Sequence, residues 1–155
     1  MPSTARTLRL AAHLIAHRGL HTGEQFASTE TSSLDICAAL YLAAEEYALP
    51  ERLDIPAEFF TDENTSLEII AASADAMAAI RILSAVIGTE PCATEIAPGH
   101  DVPDYIEHVC HWAMTTPVFG TRPPTTSEVI GTLLRAATAA DNLTAFPHQT
   151  ERSAA

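Results

Sequence analysis

The 155-residue sequence predicts an all-α fold, a single-domain bundle of about five helices joined by irregular connectors. Three observations carry that expectation. Apolar residues recur at helical spacing in five segments, with no convincing strand alternation to compete. The ten prolines all fall outside those periodic runs, where helix breakers belong. The chain is 47% hydrophobic but only 6% aromatic, a composition suited to closely packed, alanine-rich helices.

The first helix is expected from about Thr4 to Arg18, with Gly19 as its stop. Leu8, Ala11, Leu14 and Ile15 form its apolar face, and Arg6, Arg9, His13 and His17 lie opposite. Its arginine-bearing, acid-free start imitates a targeting peptide, but His13 interrupts the apolar run and no cleavage pattern follows. Residues 20–32 read as a loop or short hairpin. The sequence leaves open whether Thr22, Gly23, Glu24 and Gln25 line a pocket against the fourth helix.

The second helix should begin at Ser32 or Ser33, carry Asp35 in its first turn and reach about Tyr47. Its segment LDICAALYLAA is apolar on nearly all sides and should be the most buried element. Pro50 and Pro56 bracket a connector from which Phe59 and Phe60 fold back onto the core. The third helix is expected from a Thr65 or Ser66 cap to Ile87, with Glu68 as a capping-box acid and Gly88 as the stop. Residues 89–104, TEPCATEIAPGHDVPD, read as an irregular connector, with Asp101 and Pro103 as cap and first turn of the fourth helix. The fifth helix starts at Thr126 or Ser127 and buries Val129, Ile130, Leu133, Leu134 and Ala137. The domain spans 1–145, and residues 146–155 read as a frayed tail.

The net charge is −12 and every basic residue is arginine. It is unevenly spread: residues 1–23 hold three arginines and no acid, whereas residues 24–107 hold 17 acids against Arg52 and Arg81. Such a chain repels nucleic acid, so direct binding is not expected. The longest apolar stretch, residues 66–87, carries Glu68, Asp75 and Arg81 and does not read as a membrane span. Three cysteines, Cys37, Cys92 and Cys110, with no CxxC spacing, fit reduced thiols in a cytoplasm.

The densest chemistry lies in DYIEHVCHWAMTT, residues 104–116. On a helical wheel Asp104, Glu107, His108 and His111 share one arc, opposite Tyr105, Ile106, Val109, Trp112 and Ala113. One reading has Asp104, His108 and His111 present three ligands to zinc or iron, with His100 completing the site and Glu107 as a base. The plainer reading is a solvated face, because polar residues must lie opposite a buried one. The spacing is HxxH rather than the HExxH of zinc proteases, and the plainer reading carries more weight. Cys110 reads as a small buried hydrophobe.

Arg6, Arg9, His13 and His17 form a basic strip that could hold an anion or dock against the acidic middle of another copy. The acidic run from Glu45 to Glu68 could mimic a nucleic-acid backbone toward a basic partner. No nucleophile elbow, phosphate loop or dinucleotide fingerprint occurs in the chain.

The blocks AHRGLHTGEQFA and LDICAALYLAAE, followed by Trp112, an arginine in a short loop and SEVIGTLLRAA, resemble a family of small helical bacterial proteins known only as a domain of unknown function. The resemblance spans about residues 5–140. In that pattern an Asn-Asp pair typically follows the tryptophan, where this chain has Ala113 and Met114. The resemblance implies a fold and no activity.

The expectation is therefore a non-enzymatic binding or regulatory module without a cofactor, acting through a protein partner or by self-association. A small metal-binding protein or enzyme using Asp104, His108 and His111 is the alternative, and an acidic nucleic-acid mimic is a third.

Overall fold

Ser3 opens the first helix: its side chain accepts the Arg6 N–H, and α1 runs Thr4–Arg18 before Gly19 ends it at φ 92°. The computed structural model describes residues 3–45, 54–91 and 93–145. The expectations for Tyr47, for much of the connector after Pro50, for Cys92 and for the tail 146–155 lie outside them.

Among the described residues there are six further helices and one hairpin. The helices are α2 (Ile36–Glu45), α3 (Glu58–Thr61), α4 (Glu63–Ala71), α5 (Ala74–Ile87), α6 (Tyr105–Met114) and α7 (Thr126–Ala145). Strands β1 (Ala93–Ala97) and β2 (His100–Pro103) pair antiparallel. Helix α1 packs most extensively on α7 and then on α2, while α5 touches α1, α2, α6 and α7.

The core lies where these helices meet. Leu8, Leu14 and Ile15 of α1, Ile36, Leu40 and Leu42 of α2, Ile80 and Leu83 of α5, and Leu133 of α7 are all fully buried. Each contributes about 1.5–3 kcal/mol relative to an exposed position. Helix α2 is buried on nearly every side, as its sequence requires. Phe59 does fold back onto the core, against Phe26 and Tyr41. Among the described residues no single helix is long and apolar enough to cross a membrane.

The all-helical expectation holds in outline, with differences that have local causes. The expected third helix is two helices, α4 and α5, bent by 94°. Ser73 makes the break: its hydroxyl accepts the Ala76 N–H to cap α5 and donates to the Glu45 carboxylate at the end of α2. Helix α4 starts at an Asp62 cap, to which both the N–H and the hydroxyl of Thr65 donate. Ser66 is buried instead of capping, its hydroxyl within reach of the Glu58 and Asp62 carbonyls.

The stretch before α6 forms a hairpin rather than an irregular connector, turning at Gly99 (φ 79°). Among the described side chains of its strands none is buried, Ile96 being 67% exposed, so the hydrophobic alternation that announces a strand is missing. Pro103 closes β2, and Asp104 rather than Asp101 caps α6. In α7, Val129, Leu133 and Ala137 are buried as expected, whereas Ile130 is half-buried and Leu134 exposed.

No strand pair forms within residues 20–32. Leu20 and Ala27 instead bridge to Leu34, and the Phe59 carbonyl accepts the N–H groups of Phe26 and Ala27. Helix α2 consequently starts at Ile36, with Asp35 as its cap.

Candidate functional site

The cap of α2 sits in the interior. Asp35 Oδ1 accepts the Cys37 N–H at 2.7 Å and the Ala38 N–H at 3.3 Å, satisfying two donors at the start of a helix whose first turn is buried. Helix α6 crosses this end with Ile106, Val109 and Ala113 buried, and that orientation turns Cys110 toward α2. The Cys110 sulfur lies 3.6 Å from each Asp35 carboxylate oxygen and 3.5 Å from the Cys37 sulfur. Cys37 Sγ in turn lies 3.9 Å from the Ile106 carbonyl, to which it donates.

Burial moves the ionisation of all three groups. It pushes the Asp35 carboxyl up to about 6, against the opposing pull of the Cys37 and Ala38 N–H groups, the Cys110 thiol and the nearby His21. Cys110 rises well above an ordinary thiol because of its contact with Cys37, its burial and the Asp35 charge. Cys37 is also raised: the Cys110 contact pulls it down, but burial and the charges of Asp35, Asp104 and Glu107 outweigh that pull. Both thiols are therefore protonated at neutral pH and poor nucleophiles.

Above this trio lies a pocket of about 70 Å³, bounded by the segment after α1, by α4 and by α6. Phe26, Leu67, Ile106 and Met114 supply apolar wall. Among the described residues that line it, Asp35, Glu63 and Glu107 supply three carboxyl groups, and none is an arginine or a histidine. Thr22, Gly23 and Gln25 complete the wall, so most of the Thr22–Gln25 stretch does face α6 across a pocket.

Gln25 is unusual in two respects. Its backbone takes φ 68°, a conformation that costs a non-glycine residue about 1 kcal/mol or more. Its Oε1 is buried with no hydrogen-bond donor among the described residues, a further cost of about 1–3 kcal/mol. Two unfavourable features in one pocket-lining residue mark a place shaped for something other than stability.

The residues singled out from sequence are dispersed. Asp104 accepts the Glu107 N–H as the cap of α6. His108, expected on the wet arc, is only 7% exposed and lies between two hydroxyls: Ser84 Oγ at 2.7 Å from Nδ1 and Thr89 Oγ1 at 2.6 Å from Nε2. Both ring nitrogens are thus engaged, and burial, with the charge of His111, lowers its pKa. His111, Glu107 and His100 are exposed. Among the described residues, the metal-ligating atoms that converge within 4.8 Å of one another are those of Asp35, Cys37 and Cys110 rather than those of Asp104, His108 and His111.

The basic strip of Arg6, Arg9, His13 and His17 is exposed along α1. Arg9 is engaged within the fold, paired with Asp141 of α7 at 2.5 Å. The pair is half-exposed and contributes about 0–1 kcal/mol. The acidic run from Glu45 to Glu68 lies partly outside the described residues; of the rest, Glu45, Asp54, Asp62, Glu63 and Glu68 are exposed.

Sequence reasoning missed the trio. Asp35 and Cys37 are two positions apart, but Cys110 is 73 positions beyond Cys37, and no spacing motif links them. The available signal was a carboxylate and a thiol in the first turn of the most apolar helix, where neither is needed for solubility.

Residues 1–140 match the model of a family described as Family of unknown function (DUF6197). Comparison with curated proteins and with solved structures finds no match.

Proposed function

Because the chain belongs to that family of unknown function, its role has to be read from its own geometry, and we propose a non-enzymatic binding module that takes a lysine side chain of a protein partner into the pocket between Thr22–Phe26 and α6. The observation that carries this reading is the pocket's complement: three carboxyl groups and apolar walls, with no arginine or histidine among the described residues that line it. An ammonium group supplies three N–H donors and a positive charge, and its four-carbon stem suits the walls of Phe26, Leu67, Ile106 and Met114. A cavity of about 70 Å³ accommodates a group of roughly five heavy atoms. The chain contains no lysine, so the side chain comes from a different protein rather than from a second copy.

Protonated thiols and the lack of a catalytic signature favour binding over catalysis. A reducing cytoplasm suits the two unbonded sulfurs. Titration of the ¹⁵N-labelled protein with N-acetyl-lysine methylamide tests the reading. Saturable amide shifts at Gln25, Phe26 and Cys110 are expected, absent with the uncharged norleucine analogue. Equal responses to both compounds, or none to either, would rule it out.

A further inference from the structure

We propose that Asp35, Cys37 and Cys110 form a binding site for a thiophilic divalent cation, zinc by its chemistry. Two sulfurs and a carboxylate are a donor set that zinc accepts and that magnesium and calcium do not. The spacing fits as well. Tetrahedral zinc, with sulfur at about 2.3 Å and oxygen at about 2.1 Å, separates two sulfur ligands by about 3.8 Å and a sulfur from an oxygen by about 3.6 Å. The sulfurs of Cys37 and Cys110 are 3.5 Å apart, and Cys110 Sγ is 3.6 Å from Asp35 Oδ2. Two edges of the coordination tetrahedron are therefore already present to within a few tenths of an ångström.

The surrounding backbone also prepares the carboxylate. The Cys37 and Ala38 N–H groups hold Asp35 through Oδ1 and leave Oδ2 for the cation, the arrangement by which outer contacts orient a ligand. Asp35 and Cys110 line the pocket whereas Cys37 does not, so an entry path for the ion and space for a fourth ligand, water or a partner group, adjoin the trio. On binding, two S–H bonds break, two S–metal bonds form, and both protons pass to solvent with no change of oxidation state. Neither the donor set nor its spacing depends on what occupies the pocket above.

The test uses the reduced, tag-free full chain, with zinc measured against a chromophoric chelator and cobalt(II) as the spectroscopic probe. We expect one equivalent of zinc, and a cobalt adduct with tetrahedral d–d bands and thiolate charge transfer. Affinity should fall at least 100-fold in Cys37→Ala and remain unchanged in His111→Ala. Less than a tenth of an equivalent at micromolar zinc, or affinity retained in both Cys37→Ala and Cys110→Ala, would overturn the site. If Cys37→Ala does not fold, the wild-type cobalt spectrum decides: charge transfer from two thiolates supports the site, and its absence refutes it. Because Cys37 lies outside the pocket wall, lysine-analogue binding by Cys37→Ala separates failure of this site from failure of the pocket.

Discussion

Cys37 and Cys110 stand 73 positions apart in the chain, yet their sulfurs approach to 3.5 Å. That contact joins the N-terminal turn of α2 to the middle of α6, at the base of the pocket that three carboxyl groups line. It exists because the cap of α2 is buried and α6 must cross it to cover Ile106, Val109 and Ala113.

Asp35 gives the metal-free fold a specific pH dependence. Its carboxyl titrates near 6 when folded against 3.8 in the reference state, so its protonated form is favoured by folding. The associated stability is fully present below pH 3.8 and is lost as pH rises through about 6. An asparagine at this position would keep the capping oxygen without ionising. With chelator present, Asp35→Asn is expected to be more stable than wild type at about pH 7.5 by about 1–3 kcal/mol, with the gap closing toward about pH 4. Urea denaturation at the two pH values measures it.

His108 and His111 should differ sharply despite their shared arc on the wheel. His108→Ala removes a buried ring and leaves the Ser84 hydroxyl, 2% exposed, without its partner. We expect a loss of about 2–4 kcal/mol. His111→Ala should stay within about 0.5 kcal/mol of wild type. Equal effects in chemical denaturation would contradict the buried bridge from Ser84 through His108 to Thr89.

Ser73→Ala should cost about 1–2 kcal/mol, because it removes both the α5 cap and the bond to Glu45. Ser73→Asp keeps a capping acceptor but sets two carboxylates together, so it is expected to recover little of that loss. Thermal melts of the two variants check this, and a silent Ser73→Ala would mean that the break between α4 and α5 is held elsewhere.

Gln25 should show opposed effects on stability and binding. Gln25→Leu deletes a buried oxygen that has no donor among the described residues and is expected to stabilise the fold by about 1 kcal/mol. The same change should weaken lysine-analogue binding at least tenfold. A variant that is both less stable and equally competent to bind would remove Gln25 from the site.

Much of the scaffold was legible in the sequence because it rests on local chemistry. The ends of α1 follow from Ser3 and Gly19, and the burial of α2 follows from its unbroken apolar run. The register of α6 follows from the division between Ile106, Val109 and Ala113 and the exposed Glu107 and His111. Where reading failed, a tertiary partner decided. Ser73 interrupts a good apolar period because Glu45 is there to receive it. His108 turns inward because Ser84 and Thr89 satisfy both ring nitrogens. The hairpin at residues 93–103 has no buried side chain among those described to impose a pattern, and the trio depends on a helix crossing that no spacing encodes.

Calorimetric titration of the full chain with N-acetyl-lysine methylamide tests the central claim most directly, that binding resides in the pocket beside Gln25 and Asp35. Saturable binding is expected for wild type, His111→Ala and Arg9→Ala alike, and its loss is expected in a Gln25→Leu, Glu107→Gln double variant. No binding by wild type, or binding that survives the double variant and disappears in Arg9→Ala, would contradict the account.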